Sequence, residues 1–197
     1  MPVHPPSLRL SAPDPASPEA PVPIRRGARV LLLLLVTAVS LLGATPASAA
    51  GDDYPSRSDT SGSADPWGFT MRQCVSFVAW RMEQRGHPLD NDSQGWGSAL
   101  SWDETSRRLG YGVGSRPVAG SIAHWNAGER SALYWRGSRR ANASMTAGGQ
   151  GHVGYVRRVY ADGSASVEHY NAQGDRSYSV SRVRAPRYLY VSVRPPA

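Results

Sequence analysis

The sequence predicts an α+β domain, with helices first and an antiparallel sheet after them. Three observations carry that expectation. Val75, Val78, Ala79 and Met82 fall at i, i+3, i+4 and i+7, the stripe of one helix face. After Gly112 the chain turns to short apolar and polar runs broken by Gly, Pro, Asp and Asn, the texture of strands and turns. Asp162-Gly163 stands between two of those runs and is a strong hairpin signal.

The elements follow in order. Arg25, Arg26 and Arg29 form a positive cluster, Val30 to Leu42 carries no charge, and Ala47-Ser48-Ala49 offers small residues at a cleavage site. Together these describe a secretory signal over residues 1–49 behind a long Pro-rich start. The apolar run is shorter than the roughly 20 residues of a membrane-spanning helix. Residues 50–64, rich in Ser, Asp and Gly, read as a flexible linker, and residues 65–193 as the folded domain. The first helix is expected from Met71 to Arg85, with Thr70 and Gln73 in the form of a capping box. Gly86 suits its left-handed end and Pro88 bars continuation. A second helix is expected from Ser98 to Leu109, stopped by Gly110. Strands are expected over Ser121–Trp125, Gly151–Tyr160, Ala165–Asn171, Tyr178–Val183 and Arg187–Val193, with a mobile loop from Asn126 to Gln150.

Composition narrows the functional classes. The 197 residues suit one domain, and 22 basic residues against 15 acidic ones give a net charge of +7. Lysine is absent, which reads as coding bias in a GC-rich genome. A basic exported protein is drawn to anionic polymers. No nucleic-acid-binding motif accompanies the charge, so no nucleic-acid partner is expected. The single cysteine, Cys74, excludes a disulfide framework within the chain. An exported thiol risks oxidation, so its retention calls for a reason.

Cys74 falls in the first turn of the expected helix, where unpaired N–H groups and the helix dipole stabilise an anion. The thiolate is the nucleophilic form of cysteine. The bland alternative is a buried structural thiol on the apolar face. Gln73 can donate its side-chain amide to an oxyanion. A nucleophilic cysteine needs a histidine base, and that base an orienting partner. His87 lies in a turn, His124 in a strand, and His152 where a glycine-rich loop meets a strand, a usual place for a site residue.

With Asp162 and Gly163 as the two loop residues, Ala161 pairs with Ser164, Val156 with His169 and Gly154 with Asn171. His169 and Asn171 then share the face of His152, with Asn171 diagonal to it, and Glu168 faces the other way. A loop one residue longer reverses the faces and favours Glu168. Asp90-Asn-Asp-Ser-Gln-Gly95 begins like a calcium loop, but Ser101 stands where the loop needs glutamate, so an Asx turn is expected. His124, His152, His169 and Cys74 lack zinc-site spacing, and neither metal nor cofactor is expected. Trp67, Trp96, Trp102, Trp125 and Trp135 either line a groove or fill the core.

These residues carry a resemblance. Arg72-Gln-Cys-Val-Ser-Phe-Val-Ala-Trp-Arg81 resembles the nucleophile helix of the CHAP family, the cysteine- and histidine-dependent amidohydrolases and peptidases. Pro117 to Trp125 resembles its first core strand, Gly151-His-Val-Gly-Tyr-Val156 its histidine strand, and Asp162 to Asn171 the hairpin that follows. The resemblance implies a papain-like α+β fold and a thioester acyl-enzyme. It implies action on peptidoglycan, as an amidase or endopeptidase. The signal adds the expectation of a secreted or wall-associated monomer with no membrane contact once it is removed. Cys74 is then the nucleophile, His152 the base, and Asn171 falls on the family's asparagine. The family commonly has glutamate two residues before that asparagine; His169 stands there, with Glu168 one place off. Which of Asn171, Glu168 and His169 orients the base stays open. The departure also suits a wall-binding protein of the same fold with weak or lost chemistry.

Overall fold

The computed structural model describes residues 51–136 and 144–196, with the backbone alone over 132–136. The signal-like residues 1–49 lie outside the described residues. The helical part comprises α1 (Cys74–Glu83), α2 (Asn91–Gln94), a 3-10 turn (Ala99–Ser101) and α3 (Trp102–Arg108). The strands are β1 (Gly112–Gly114), β2 (Ile122–Trp125), β3 (Arg130–Arg136), β4 (Ser144–Thr146), β5 (His152–Val159), β6 (Ala165–Tyr170), β7 (Tyr178–Val183) and β8 (Arg187–Tyr190). They form one antiparallel sheet in the order β1-β8-β2-β5-β6-β7-β3-β4. The α+β order of helices before sheet is the one the sequence predicts.

α1 begins at Cys74 rather than Met71. Arg72 has φ 61°, a left-handed conformation that turns the chain, and Gln73 is extended at φ −97° and ψ 160°. Gln73 is therefore the N-cap, and no side chain caps the helix. The expected capping box is absent; Thr70 instead pairs with Ala64 in an isolated bridge. Cys74 becomes the first helical residue.

The helix is buried on nearly every side, from Ser76 to Met82. One side packs on the sheet, where Val153 and Tyr170 join Phe77 and Val78 in one core. The other side is covered by the stretch expected to be a flexible linker. Tyr54 is only 1% exposed and packs its ring on Phe77, Trp80 and Tyr170, with centroids 5.8, 5.5 and 5.1 Å away. Its hydroxyl bonds Ser76, Asp53 pairs with Arg81 at 2.7 Å, and the Tyr170 hydroxyl donates to Asp52 at 3.1 Å. The described residues 51–64 thus act as a strap across α1. Serine and aspartate here serve turns and ion pairs, which composition reads as flexibility.

A second core lies on the opposite sheet face and is built from strands and loops, with Trp125, Val156, Val167, Val183 and Tyr188 at its centre. β3 and β4 arise inside the expected mobile loop. Trp125 draws the chain back there, its indole donating to Ser131 Oγ at 2.8 Å. Trp96, Trp102 and Trp125 are fully buried, so these three fill cores rather than a groove. The side chain of Trp135 lies outside the described residues. Asp90 caps α2 by accepting from the N–H groups of Asp92 and Ser93 at 2.9 and 3.2 Å, the Asx-type role.

The hairpin between β5 and β6 differs twice from the simple pairing. Tyr160 and Ser164 close a three-residue loop, with Gly163 left-handed at φ 78°. A second slip, a bulge, falls between Val156 and Arg158, so Val156 pairs with Val167 and not His169. Each slip reverses the faces; together they restore them.

Replacing Tyr54 by alanine removes a buried ring and a hydroxyl partner of Ser76. A stability loss of about 3–5 kcal/mol is expected in urea unfolding. A solvated linker residue in that place would leave the midpoint unchanged.

Candidate active site

The N-terminus of α1, the start of β5, the turn at Ser98–Ala99 and the loops 146–151 and 171–174 enclose a cleft of about 760 Å³. Gln73, Cys74, His152 and Asn171 all line it, and no described lining residue carries a charged side chain. Its polar groups are carboxamides and hydroxyls, among them Asn91, Ser98, Gln150 and Gln173.

Cys74 is half-buried. Burial pushes its thiol above the usual value, while the backbone N–H groups of Val153, Val75 and Cys74 itself pull it part of the way back. The contact with Val153 sets the sulfur beside the residue that follows His152. As the first helical residue, Cys74 also has a backbone N–H with no partner inside the helix.

His152 is 5% exposed, and its ring packs on Trp125 at 5.7 Å. Its Nε2 lies 3.0 Å from His169 Nδ1, and His169 Nε2 lies 2.7 Å from Ser181 Oγ. The two imidazoles are stacked, with centroids 5.2 Å apart. Burial, with His124 adding repulsion, lowers the His152 pKa to about 4. Burial and the neighbouring His152 put His169 well below the usual imidazole range. Both rings are neutral at neutral pH.

The three expected orienting groups separate. Asn171 leaves β6 in a left-handed conformation at φ 53°, and its Oδ1 accepts from the Arg176 N–H at 2.7 Å. Its Nδ2 then donates to Gln73 Oε1 at 2.6 Å. Asn171 therefore contacts Gln73, not the His152 ring, because the left-handed turn swings it off the strand face. Glu168 faces the opposite side and is 2% exposed. It pairs with Arg81 at 3.0 Å and Arg157 at 3.4 Å, and accepts from the Tyr178 hydroxyl at 2.7 Å. His169 alone of the three touches His152.

Two glycines make this packing possible. Gly151 has φ 71°, and a Cβ there would lie 2.8 Å from Leu100 N and Trp125 O. A Cβ on Gly154 would lie 2.5 Å from Val167 Cγ1 and 2.9 Å from His169 Nδ1. The His169 ring occupies the space that any other side chain at 154 would take. Of the remaining histidines, His87 is exposed. His124 is fully buried behind the cleft, its Nε2 donating to Ala99 O at 2.7 Å and its Nδ1 facing Arg187 at 3.3 Å. Ser181 and Gly154 are missed by sequence reasoning. The one available signal is the alternation of Ser179 and Ser181 along β7. Among the described residues, no three His, Cys, Asp or Glu side chains gather as metal ligands.

Comparison with known proteins gives the chain a family. The model of the CHAP domain family matches residues 64–171. An N-acetylmuramoyl-L-alanine amidase sle1 of Staphylococcus epidermidis is 33% identical over 113 residues, 56% of this chain and 28% of that protein. A probable autolysin SsaALP of Staphylococcus aureus is 31% identical over 103 residues, 52% of this chain and 30% of that protein. The chain thus spans about three-tenths of the length of these relatives. A solved structure of N-acetylmuramoyl-L-alanine amidase from Staphylococcus aureus has 23% identity and a TM-score of 0.49, covering 71% of this chain and 37% of that one.

Substituting alanine at Gly154 is expected to lower stability by about 1–3 kcal/mol through overpacking. It should also break the His152–His169 hydrogen bond, read as changed ring-nitrogen shifts in NMR. Unchanged shifts would show that the rings do not depend on the gap at 154.

Proposed function

The chain belongs to the CHAP domain family, and from that premise we propose that it is a secreted cysteine-dependent hydrolase of amide bonds in peptidoglycan. The observation that carries this reading is the meeting of Cys74 and His152 in one uncharged cleft. Relatives named as amidase and autolysin support the substrate. The signal-like pattern ending at Ala49 supports export. The uncharged, amide-rich lining suits a neutral stretch of the polymer, such as the junction of sugar lactyl group and peptide.

In the proposed reaction, the Cys74 Sγ–H gives its proton to His152 Nδ1, the ring nitrogen that His169 leaves free. The sulfur bonds the carbonyl carbon, and the carbonyl oxygen takes the electron pair. The Cys74 N–H and the Gln73 Nε2 amide hold that oxyanion. Collapse breaks the C–N bond, and the leaving amine takes the proton from Nδ1, which leaves a thioester. Water then attacks with its proton passing to Nδ1, and the sulfur departs and recovers that proton.

Asn171 has a part different from the expected one. Its Oδ1 is occupied by the Arg176 N–H, so its Nδ2 must face Gln73. Gln73 Oε1 is thereby engaged, and Gln73 presents its own Nε2 hydrogens to the cleft. Asn171 is proposed as the residue that aims the oxyanion donor. The rival reading, a wall-binding protein without chemistry, is favoured by the partner of the His152 ring, an imidazole rather than a carboxylate.

The deciding experiment is mass spectrometry of purified wall after incubation with the processed protein. New amide-cleaved fragments are expected, lost after iodoacetamide or Cys74→Ala and kept after a chelator. Wall binding with no fragments would favour the non-catalytic reading. N-terminal sequencing of exported protein should start near Ala50. Gln73→Ala is expected to lower kcat by about 10², and Asn171→Ala by about tenfold with KM nearly constant. An Asn171→Ala enzyme of full activity would remove its proposed role.

A further inference from the structure

The contact between His152 and His169 has a chemical consequence at the nucleophile. Resting on the reading of Cys74 and His152 as nucleophile and base, we infer that His169 is the positioning residue of His152. In the same inference Ser181 supports the productive tautomer of His169 by pairing its far nitrogen, and the relay keeps the resting couple as thiol and neutral imidazole.

The tautomers follow from hydrogen-bond bookkeeping. For His152 Nδ1 to accept a proton, its Nε2 must carry the hydrogen and donate to His169 Nδ1. His169 must then carry its own hydrogen on Nε2 and donate it to Ser181 Oγ. The opposite arrangement puts the His152 proton on Nδ1, where it blocks the thiol proton. When His152 becomes an imidazolium, both its nitrogens donate, and only the first arrangement remains. The Ser181 hydroxyl can accept from or donate to His169 Nε2, so it pairs in either arrangement; without it the first arrangement leaves a buried N–H without a partner. Register permits this reach: Val167 pairs with Ser181 and His169 with Ser179, so His169 and Ser181 are diagonal neighbours on one face.

The charge state follows from what surrounds the rings. His152 shares the cleft with Cys74 of α1 and meets Trp125 on β2 and His169 on β6. His169 faces His152 and Gly154 on β5, Ser181 on β7 and Trp125 on β2. His124 on β2 repels a positive charge on His152; behind it stand Arg187, Glu129 and Asp103. The carboxylate of Glu168 is held on the other face by Arg81, Arg157 and Tyr178. Among these neighbours no carboxylate meets either ring, so a resting imidazolium would have only the Cys74 thiolate to stabilise it, and burial raises that thiol. The low His152 and raised Cys74 values agree with that geometry. The proton therefore leaves sulfur only as the S–C bond forms, with His152 acting as a general base.

The test reads the thiol directly and needs no peptidoglycan hydrolysis. The rate of Cys74 alkylation by iodoacetamide is measured from pH 4 to 10. In the wild type it should rise steadily toward alkaline pH, with no plateau around neutrality. His169→Glu, which sets a carboxylate against His152 Nε2, should create a neutral-pH plateau through a thiolate–imidazolium pair. A plateau already present in the wild type, or its absence in a folded His169→Glu, would overturn the inference. Ser181→Ala should lower kcat about tenfold or more and move the His152 proton to Nδ1 in nitrogen-15 spectra. Ser181→Thr should restore both, since a cavity of about 280 Å³ borders Ser181 and leaves room for a methyl group. Unchanged tautomers in Ser181→Ala would remove Ser181 from the relay. If alkylation behaves as expected but no wall fragments form, the charge state stands and the hydrolase reading fails by itself.

Discussion

The polar contact of the His152 ring depends on how β5 pairs with β6. A strand has a period of two, so one residue of slip exchanges its faces. Here the three-residue loop and the bulge between Val156 and Arg158 each add one slip. The sum returns His169 to the face of His152 and sends Glu168 to the face of α1. With only one of them, a carboxylate would meet the His152 ring and an imidazole would meet Arg81. The bulge thus decides which chemistry the site has, although it lies several residues away.

The same sheet faces explain how the helix that carries Cys74, the proposed nucleophile, is held in place. On one face Glu168 anchors Arg81, an α1 residue that is almost fully buried. Such a charge is tolerable only when paired, and loss of one partner typically costs about 3–5 kcal/mol. Arg81 is paired twice, with Glu168 from the sheet and with Asp53 from the strap. Together with Tyr54, these contacts fix the helix whose first residue is Cys74. The unusual charge in the core is therefore structural, while the groups that line the cleft are uncharged.

Much of this was legible in the sequence, for identifiable reasons. Glycine and proline mark element ends through backbone constraints, so the limits of α3, β2, β5, β6 and β7 fall close to those expected. The lone cysteine at a helix start and a histidine after a glycine loop point to the cleft because their chemistry depends on local placement. Long-range contacts escaped. Nothing in Gly51 to Ala64 shows that Tyr54 inserts against Phe77, since its neighbours are the residues of a linker. β3 is misread as loop because Trp125, remote from its middle, is what draws it in. The destination of Asn171 is hidden because a left-handed non-glycine residue has no reliable sequence signal. The face of His169 was read correctly from an incorrect register, an accident of two slips that cancel.

The substitution of imidazole for carboxylate at 169 cannot be judged at that position alone. An imidazole is larger than the space a short strand pair leaves, and Gly154 supplies that space. An imidazole also has two nitrogens, so it needs a partner at its far end, and Ser181 supplies one. Glutamate in the same place would have no second ring nitrogen to satisfy, but would bring a charge into a buried region. The net effect is a trade in the electrostatics of the base. A carboxylate stabilises the protonated base before the substrate arrives, whereas a neutral imidazole only aims it. Positioning survives the exchange, because a hydrogen bond at 3.0 Å orients a ring whether or not its acceptor is charged. In the proposed reaction, what changes is when charge appears: it develops during the attack, in a cleft whose described lining holds no ion to compete with it.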